Sequence, residues 1–389
     1  MKQGWEYKKL GEVGNIVTGS TPSTKDESNY SPREYCFVKP SDLPSKGIAN
    51  IEETEYYVSK KGLSKSRVLP AGSVLVSCIG SIGKIGILTK EACSNQQINA
   101  IIPNNGIDSK FIAYIICAYR FLLESIANAP VVPIINKTDF SKIAIPLPPK
   151  PTQLAIVSEL DKINELIRLK KEQLKDYDNL AQSIFYEMFG DPVENEMGWE
   201  VKKLGEVCVK ITDGDHMPPP KSESGIPFLT ISDINKETRK LDFSNTYFVP
   251  IEYYNNLKEE RKAKPNDLLY TVTGSYGIPV IVKDERLFCF QRHIALIRPQ
   301  KEVLSTYFLC YWVLSAAVKS IADKVATGIA QKTVGLNSIR KFEIILPPLP
   351  LQQLFAERIE QIEKQKAEVQ QTIKDLETLL ASRMQYWFE

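Results

Sequence analysis

An apolar repeat with alternating steps of four and three residues predicts one long helix over residues 151–188. Only Lys170 interrupts the repeat, which consists of Ile156, Leu160, Ile163, Ile167, Lys170, Leu174, Tyr177, Ala181, Ile184 and Met188. Sustained 4–3 spacing is typical of a helix that packs lengthwise against another helix. At 1.5 Å per residue such a helix is about 50 Å long, so it needs a partner of similar length.

The partner is encoded near the other end of the chain. Adding 199 to each position gives a second repeat over residues 350–387: Phe355, Ile359, Ile362, Lys366, Val369, Ile373, Leu376, Leu380, Arg383 and Trp387. We predict that the two helices pack antiparallel along these repeats, hereafter the helix seams. A dimerisation arm between two chains is the alternative, and a partner within the same chain argues against it. Lys170 and Lys366, expected to face apolar residues, either fix the register or extend their ammonium groups to solvent.

The helices belong to a duplication that covers the whole chain. The matching pairs are WEYKKLGEV (5–13) with WEVKKLGEV (199–207), FVKPSDL (37–43) with FLTISDI (228–234), AGSVLVSCIGSIGKIGI (71–87) with PNDLLYTVTGSYGIPVI (265–281), NQQINAII (95–102) with FQRHIALI (290–297), NKT (136–138) with QKT (331–333), and IPLPPKPTQ (145–153) with IILPPLPLQ (344–352). The chain is therefore predicted to be a lobe and a long helix, followed by a second lobe and a second long helix.

Each lobe is predicted to be a twisted sheet with one or two helices. The predicted strands are Val74–Ser77, Gly86–Thr89 and Ile98–Ile102, and then Leu268–Val272, Pro279–Val282 and Ile294–Ile297. One apolar helix is predicted in each lobe, at Lys110–Ile126 and Thr306–Ile321. The predicted domains are 1–145, 146–190, 191–345 and 346–389. The fold class is α+β, with two repeated mixed lobes separated by two antiparallel helices in a pseudo-two-fold arrangement.

Charge is segregated along the chain. Residues 1–145 hold 17 basic and 13 acidic side chains (+4), and residues 199–345 hold 21 and 17 (+4). The helical stretches 146–198 and 346–389 hold 6 and 10 (−4) and 5 and 7 (−2). Two mildly basic lobes suggest contact with a polyanion, and an ordinary solvated surface is the alternative.

The sequence indicates a cytoplasmic protein without catalytic groups. It has no apolar run of membrane-spanning length, its first residues lack the apolar core expected of a signal peptide, and its seven cysteines are scattered without a CxxC pair. Gly80–Lys84 fails the G-x4-G-K-[ST] spacing of a phosphate loop, and the Asn/Asp-Pro-Pro-Tyr/Phe segment of adenine methyltransferases is missing. Asp213–His216 is more typical of a loop equivalent to Thr18–Pro22 than of a metal site. We expect no bound metal or cofactor.

Two basic lobes with different interiors fit a ligand with two different sites, and double-stranded DNA with two half-sites is such a ligand. The order of motifs resembles a known family. WExKKLGEV, a Gly-Ser-x-Gly turn after a strand, an Asn-Gln segment, Leu-Pro-Pro-x-Pro-x-Gln, a long helix and FGDP, followed by the same order again, is similar to the specificity (S, HsdS) subunit of Type I restriction–modification enzymes. The resemblance spans essentially the entire chain.

The resemblance implies a non-catalytic DNA-binding subunit. Each lobe would be a target-recognition domain that reads one half of a bipartite site in double-stranded DNA. The helices would set the spacer and dock two methyltransferase (M) subunits, which use S-adenosylmethionine. Restriction (R) subunits of the full complex would use ATP and Mg. A related system with a fused methylase–nuclease partner and a coiled-coil scaffold that binds no DNA are the alternatives.

DNA-contacting residues are predicted by side-chain type, with ordinary surface polarity as the alternative. Basic clusters precede each Gly-Ser-x-Gly strand: Lys60, Lys61, Lys65 and Arg67 in the first lobe, and Lys258, Arg261, Lys262 and Lys264 in the second. Further predicted contacts lie in or near positions that match between the two copies but carry different residues: Lys84, Gln96, Gln97, Tyr276, Gln291, Arg292 and His293. Tyr186, Phe189, Tyr386 and Phe388 are predicted either to dock the methyltransferase or to cap the helix ends onto the lobes.

Overall fold

The computed structural model describes residues 4–127, 132–217, 219–328 and 331–388. The chain divides into two compact units. The first unit comprises residues 1–171 and 371–389, and the second comprises residues 172–370. The boundaries fall inside the two long helices, so each unit contains one lobe and about half of each helix.

The chain runs through two similar series of strands and helices. The first series is β1 (Glu6–Lys9), α1 (Leu10–Val13), β2 (Gly14–Thr18), β3 (Tyr35–Val38), β4 (Ile48–Ile51), β5 (Tyr57–Val58), α2 (Lys60–Ser64), β6 (Val74–Ser77), β7 (Ile85–Leu88), β8 (Ala92–Ser94), β9 (Ile98–Pro103), α3 (Ser109–Ala118), α4 (Arg120–Ile126), α5 (Lys137–Lys142), β10 (Ala144–Leu147) and α6 (Lys150–Phe189). The second series is β11 (Glu200–Lys203), β12 (Cys208–Asp213), β13 (Ile226–Leu229), β14 (Ile234–Asn235), β15 (Lys240–Leu241), β16 (Tyr247–Val249), α7 (Ile251–Asn255), β17 (Leu268–Thr271), β18 (Pro279–Ile281), β19 (Cys289–Phe290), β20 (Ile294–Pro299), α8 (Thr306–Leu314), α9 (Ala316–Val325), α10 (Leu336–Arg340), β21 (Glu343–Leu346) and α11 (Leu349–Phe388).

Each unit is built on a main sheet, a three-stranded sheet and a two-stranded sheet. In the first unit the main sheet has the order β2-β9-β6-β7-β4, and the three-stranded sheet has the order β5-β3-β8. The second unit repeats both as β12-β20-β17-β18 and β16-β13-β19, with a β14-β15 hairpin where the first unit has its fifth strand. The predicted α+β class with two repeated lobes is confirmed, as are the six predicted strands to within two residues at each end.

The predicted apolar helices are each divided in two. Tyr119 separates α3 from α4, and Ser315 separates α8 from α9. Ser315 also caps α9, because its hydroxyl accepts the backbone N–H of Val318. A capping serine flanked by apolar residues was overlooked, so two short helices were predicted as one.

The most similar segments of the two copies close each lobe next to its long helix. Strand β1, from WEYKKLGEV, pairs antiparallel with β10, which leads into α6. Strand β11 pairs in the same way with β21, which leads into α11. The chain then turns into a helical segment, where the Leu10 and Leu204 amides donate to the carbonyls of Ile143 and Phe342. The repeated sequence therefore builds the junction between lobe and helix.

A buried glutamine in the first turn of each long helix completes this junction. The Gln153 carboxamide accepts the Asp108 amide at 2.9 Å and donates to the Pro148 carbonyl at 2.9 Å. Gln352 accepts the Ser305 amide at 2.8 Å and donates to the Pro347 carbonyl at 2.8 Å. Each glutamine thus ties the long helix to the start of α3 or α8. From the sequence, this glutamine was recognised only as part of a repeated motif.

The long helices match the predicted ranges to within one residue at each end and pack antiparallel within each unit. In the first unit Glu159 binds Arg383, and Lys171 lies 3.0 Å from Glu377. The side chains of the helix seams that are buried are Ile156, Leu160, Ile163, Ile167, Ala181, Phe355, Ile359, Ile362, Lys366, Val369 and Ile373. Leu174, Tyr177, Ile184, Leu376 and Leu380 are half-buried.

Lys366 faces carboxylates instead of the apolar residues expected from the sequence. Its ammonium lies 2.9 Å from both Asp178 and Glu363, and its side chain is 7% exposed. Arg239 lies 2.7 Å from the same Asp178 carboxylate. Desolvation raises the pKa of Asp178, but Lys366 and Arg239 outweigh it and hold that pKa below its ordinary value. The lysine is therefore retained in the seam by a carboxylate of the facing helix.

Phe189 and Phe388, at the ends of the long helices, cap these helices onto the lobes. Phe189 packs against Phe308 and Phe355 at ring-centroid distances of 4.8 and 5.3 Å. Phe388 packs against Phe111 at 5.8 Å. Both side chains are buried, so of the two predicted roles the capping role is confirmed for Phe189 and Phe388 and the exposed docking surface is excluded for them.

Replacing Gln352 with Met should lower the free energy of unfolding by about 2 kcal/mol, because buried N–H and C=O groups lose their partners. Urea unfolding followed by circular dichroism measures the change. Gln353→Met is the matched control, since Gln353 is exposed in the same helical turn and should change stability by less than about 0.5 kcal/mol. Equal losses in the two variants would contradict the assigned role of Gln352.

Replacing Asp178 with Asn should destabilise the protein at pH 7 by about 1 kcal/mol, a small value because a third of Asp178 remains exposed. Because the pKa of Asp178 is lower in the folded state, its carboxylate stabilises the fold fully at a pH above the unfolded-state pKa of about 4. This stabilisation is lost as the pH falls through the folded-state pKa. The difference between wild type and variant should therefore shrink as urea unfolding is repeated from pH 7 towards pH 3. Glu165→Gln, on the exposed surface of α6, is the control and should change unfolding little at any pH.

Candidate nucleic-acid interface

Four loops meet at one end of the main sheet in each unit. In the first unit the Gly19 amide donates to Ile98, the Cys78 amide to Gln97 and the Gly80 amide to the Pro133 carbonyl. In the second unit the corresponding donors are Gly214, Val272 and Gly274, which bind Ile294, His293 and Lys332. The same backbone scaffold therefore presents loop side chains at both sites.

Glycine is required where two of these loops touch. A Cβ on Gly19 would lie 2.1 Å from the Asn95 carbonyl oxygen, and one on Gly214 would lie 1.9 Å from that of Phe290. Such distances leave no room for any side chain. The predicted equivalence of the Thr18–Pro22 and Asp213–His216 loops is therefore confirmed.

The Gly-Ser-x-Gly turns share one hydrogen-bond pattern. The Ser77 hydroxyl donates to the Ser81 carbonyl and accepts the Lys84 amide. In the second unit the Thr271 hydroxyl donates to Ser275 and accepts the Ile278 amide. Sequence reasoning missed this hydroxyl, although Ser77 and Thr271 occupy the same place in the aligned copies. The turn is thereby held in one shape while its exposed residues vary.

Two alignments made from the sequence are corrected by these bonds. Gln97, rather than Ile98, is equivalent to His293, because each backbone carbonyl accepts the amide of the residue after the main-sheet strand. Asn136 caps α5 and Gly335 caps α10, so the NKT segment matches residues 335–337 and not residues 331–333. Short polar segments were aligned by their similar composition, whereas the structural equivalence is set by the hydrogen-bond register of the sheet.

The predicted polar residues of the first unit lie at or beside these loops. Gln96 accepts a hydrogen bond from the Thr21 hydroxyl at 2.7 Å, and Gln97 accepts one from Asn95 at 2.8 Å. Lys84 is turned towards the Pro40 carbonyl, 3.1 Å away. Arg67 donates to the Thr18 carbonyl at 2.6 Å. The loops are therefore joined to one another by the residues predicted to contact DNA.

The basic cluster of the first unit is partly neutralised. Lys61 and Lys65 lie 3.0 and 3.1 Å from the same carboxylate, that of Asp26. Hydrogen bonds from Ser28, Lys61 and Lys65 hold the pKa of Asp26 well below its ordinary value. The Lys60 side chain is exposed, while its backbone amide binds Glu34 at 2.7 Å. The local positive charge is smaller than a count of lysines suggests.

The second basic cluster is also engaged within the chain. Arg261 lies 3.4 Å from Asp215 and 3.8 Å from Asp213, and Asp213 also binds His216. Lys262 lies 2.6 Å from Glu259, which is 4.0 Å from Lys264. The Lys258 side chain is exposed. The Asp213–His216 stretch thus organises the loop end through ion pairs.

Tyr276 and Gln291–His293 lie at the loop end of the second unit. The Tyr276 hydroxyl donates to Asp323 at 2.6 Å, and the Gln291 amide donates to the Leu229 carbonyl. Arg292 is exposed and, with His293, lines an open cavity of about 260 Å³. Desolvation and the neighbouring Arg292 lower the pKa of His293, which favours the neutral imidazole near pH 7. A cation and a neutral donor–acceptor ring therefore stand side by side.

Within residues 4–127, 132–217, 219–328 and 331–388, no group of three or more His, Cys, Asp and Glu side chains is arranged to hold a metal ion. Over the same described part of the chain, no helix is long and apolar enough to cross a membrane.

The chain belongs to the family of the type I restriction modification DNA specificity domain. The family pattern matches twice, over residues 2–176 and 196–378. The two matches correspond to the two copies of lobe and helix.

Curated relatives agree with this assignment, and solved structures share the fold. The chain is 26% identical to the type I restriction enzyme MjaIX specificity subunit of Methanocaldococcus jannaschii, over 90% of this chain and 85% of the relative. It is 21% identical to the type I restriction enzyme EcoKI specificity subunit of Escherichia coli, over 93% of this chain and 82% of the relative.

A chain from a structure of the type I R-M system has a TM-score of 0.62 at 20% identity, and the match covers 99% of this chain and 97% of that chain. The S subunit from M. genitalium has a TM-score of 0.53 at 12% identity, over 99% and 96%. Both structures show the same fold.

Replacing Asp26 with Asn should raise the affinity for double-stranded DNA about three- to tenfold at low salt, because Lys61 and Lys65 become available to phosphates. Fluorescence anisotropy over a salt series measures both the affinity and the slope of log K against log salt, which should steepen. Glu6→Gln is the control, since it removes one paired carboxylate from the same unit at Lys8, outside the loop end. An unchanged affinity would separate this lysine cluster from DNA binding.

Proposed function

We propose that this chain is the DNA specificity subunit of a type I restriction–modification enzyme, in which each unit reads one half of a bipartite site. One observation carries the proposal. The two units hold their loops by the same backbone bonds, yet equivalent positions differ, as Gln97 and His293 do. Identical scaffolds with different exposed side chains suit two half-sites with different base sequences.

The chain's part in the reaction is recognition. The predicted contacts include Lys60, Arg67, Gln97, Arg292 and His293, which combine phosphate-binding cations with groups that pair with base edges. Methyltransferase subunits would bring S-adenosylmethionine, and restriction subunits would bring ATP-dependent, Mg-dependent cleavage. This chain would place the duplex in front of them and carry out no bond-breaking step itself.

The long helices would set the spacer and dock the methyltransferase subunits. Their seams are occupied by each other, but a further set of leucines faces solvent. Leu166 and Leu169 are 47% and 46% exposed on α6 in the first unit, and Leu180 is 47% exposed in the second. Exposed leucines outside a filled seam support docking of another apolar helix surface. Docking would therefore use these leucines in place of Phe189 and Phe388.

The proposal is tested by co-expressing the chain with its methyltransferase subunits and sequencing the methylated genome. We expect one bipartite motif with two specified parts and an unspecified spacer. Arg292→Ala should reduce the discrimination between bases at one position of one half-site by about 1–3 kcal/mol and leave the other half-site unchanged. Gln97→Ala should relax only the other half.

A continuous motif, or relaxation of both halves by Arg292→Ala, would contradict two-part recognition. Lys258→Ala is the control for non-specific phosphate contact. It should lower methylation of all sites evenly and leave the motif unchanged.

A further inference from the structure

The three-stranded sheet of the first unit ends in an aromatic pocket of about 520 Å³. Strands β3 and β8 are parallel and β5 is antiparallel to β3, so the ends of β3 and β8 and the start of β5 meet at one edge. Phe37, Lys39, Tyr56 and Asn95 reach the pocket from these strand ends, and Tyr30 closes another side.

Cations lie over the aromatic rings of this pocket. The Lys39 ammonium is 3.0 Å from the centroid of the Tyr56 ring and 5.9 Å from that of Phe37. The Arg33 guanidinium is 4.7 Å from the centroid of the Tyr57 ring. Aromatic faces together with cations are the groups that bind a nucleobase and its phosphate.

At the equivalent place in the second unit two aromatic rings stack on each other. Phe228 and Tyr247, which correspond to Phe37 and Tyr56, stack with centroids 5.1 Å apart and planes 21° apart. Thr230 stands where the first unit has Lys39, and its hydroxyl binds Asp233 at 2.7 Å. In the second unit one face of Tyr247 is therefore stacked on Phe228, with the Lys221 ammonium 5.0 Å from the ring centroid, whereas in the first unit the Lys39 ammonium lies directly over Tyr56.

The pocket adjoins the loops predicted to read DNA. Asn95 immediately precedes Gln96 and Gln97, and the lining residue Thr21 donates a hydrogen bond to Gln96. The Glu55 carboxylate lies beside the Tyr56 hydroxyl and raises the pKa of that phenol. A carboxylate at this position can accept a hydrogen bond from an exocyclic amino group of a base.

We propose that this pocket receives one nucleobase of the bound duplex, swung out of the stack, with its ring on Tyr56 and its phosphate held by Lys39 and Arg33. The proposal rests on the proposed function and deepens it. Lys39 leaves the ring as the base enters. Glu55 favours a base with an exocyclic amino group, so adenine, cytosine or guanine is preferred over thymine. The second unit, with its rings already stacked, reads its half-site without such a base.

The experiment uses the complex of the full chain with its methyltransferase subunits and duplexes that carry the methylated motif. At each position of the two half-sites the base on the opposite strand is replaced by an abasic site, which lowers the cost of extrusion. When the abasic site lies at one particular position of one half-site, the wild-type complex should bind the duplex at least about tenfold more tightly than the unmodified duplex. Removing the extruded base itself should weaken binding by about tenfold to a hundredfold, the value of one aromatic stack.

Variants connect this effect to the pocket. Tyr56→Ala should abolish the gain from the opposite abasic site, and Tyr56→Phe should retain it because the ring is kept. Lys39→Gln should retain the gain and lower the slope of log K against log salt by about one phosphate contact. Tyr7→Ala is the control, since Tyr7 is 57% exposed on β1 of the same unit, and it should behave as wild type. If binding is tightened nowhere, or if Tyr56→Ala keeps the gain, the proposal is overturned.

A second arm titrates the same complex with the four nucleoside 5′-monophosphates, because a free nucleotide has the same chemistry as an extruded one. Suppose that the complex binds a nucleotide, that Tyr56→Ala abolishes this binding, and that no abasic position tightens DNA binding. This result would assign the pocket to a soluble nucleotide and overturn its assignment to DNA. Specific binding of the unmodified duplex is measured in every titration. If the wild-type complex binds this duplex specifically but no abasic position tightens binding, only the proposed role of the pocket is overturned. If the wild-type complex does not bind this duplex specifically, the proposed function is overturned as well.

Discussion

A glutamine buried in the first turn of each long helix is the contact on which the rest of each unit depends. Gln153 and Gln352 join the helix to the amide that begins the apolar helix of the lobe and to a carbonyl of the preceding proline segment. Their side chains are 2% and 0% exposed, so an unpaired amide there would be costly. The helix therefore leaves its lobe in one direction only. The two β-ladders of the repeated WExKKLGEV segments surround this junction, which explains why the copies are most alike there.

The loop ends follow the opposite rule, since their backbone is shared and their side chains are not. Ser77 and Thr271 hold the same turn by hydroxyl bonds, and Gly19 and Gly214 permit the same close approach of two loops. Charge on this scaffold is compensated locally by acids such as Asp26. The paired lysines Lys61 and Lys65 can therefore contact phosphate only after leaving the Asp26 carboxylate. Local compensation of charge reduces the sequence-independent part of DNA binding, which suits recognition by base contacts.

The two lobes also differ where their sequences look alike. Phe37 and Phe228 occupy the same strand position, and so do Tyr56 and Tyr247. In one unit the rings stack on each other, and in the other a lysine lies over Tyr56 beside an open pocket. The residue after the strand is lysine where the pocket is found and threonine where the two rings stack. Duplicated recognition modules can diverge in this way without altering their sheets.

The sequence by itself determined the duplication, the α+β class, the strands that flank the Gly-Ser-x-Gly turns and both long helices, because these depend on local periodicity and on repeated short-range patterns. It failed where a residue's role depends on its neighbours in space. It left open whether Phe189 and Phe388 dock a partner or cap the helices, and they lie in the cores, while Lys366 faces Asp178 instead of apolar side chains. Gln153, Gln352 and the aromatic pocket were not foreseen, since their partners come from segments distant in the chain. Tertiary structure alone decided which polar groups are paired, because pairing is set by distances between strands and helices that no local pattern encodes.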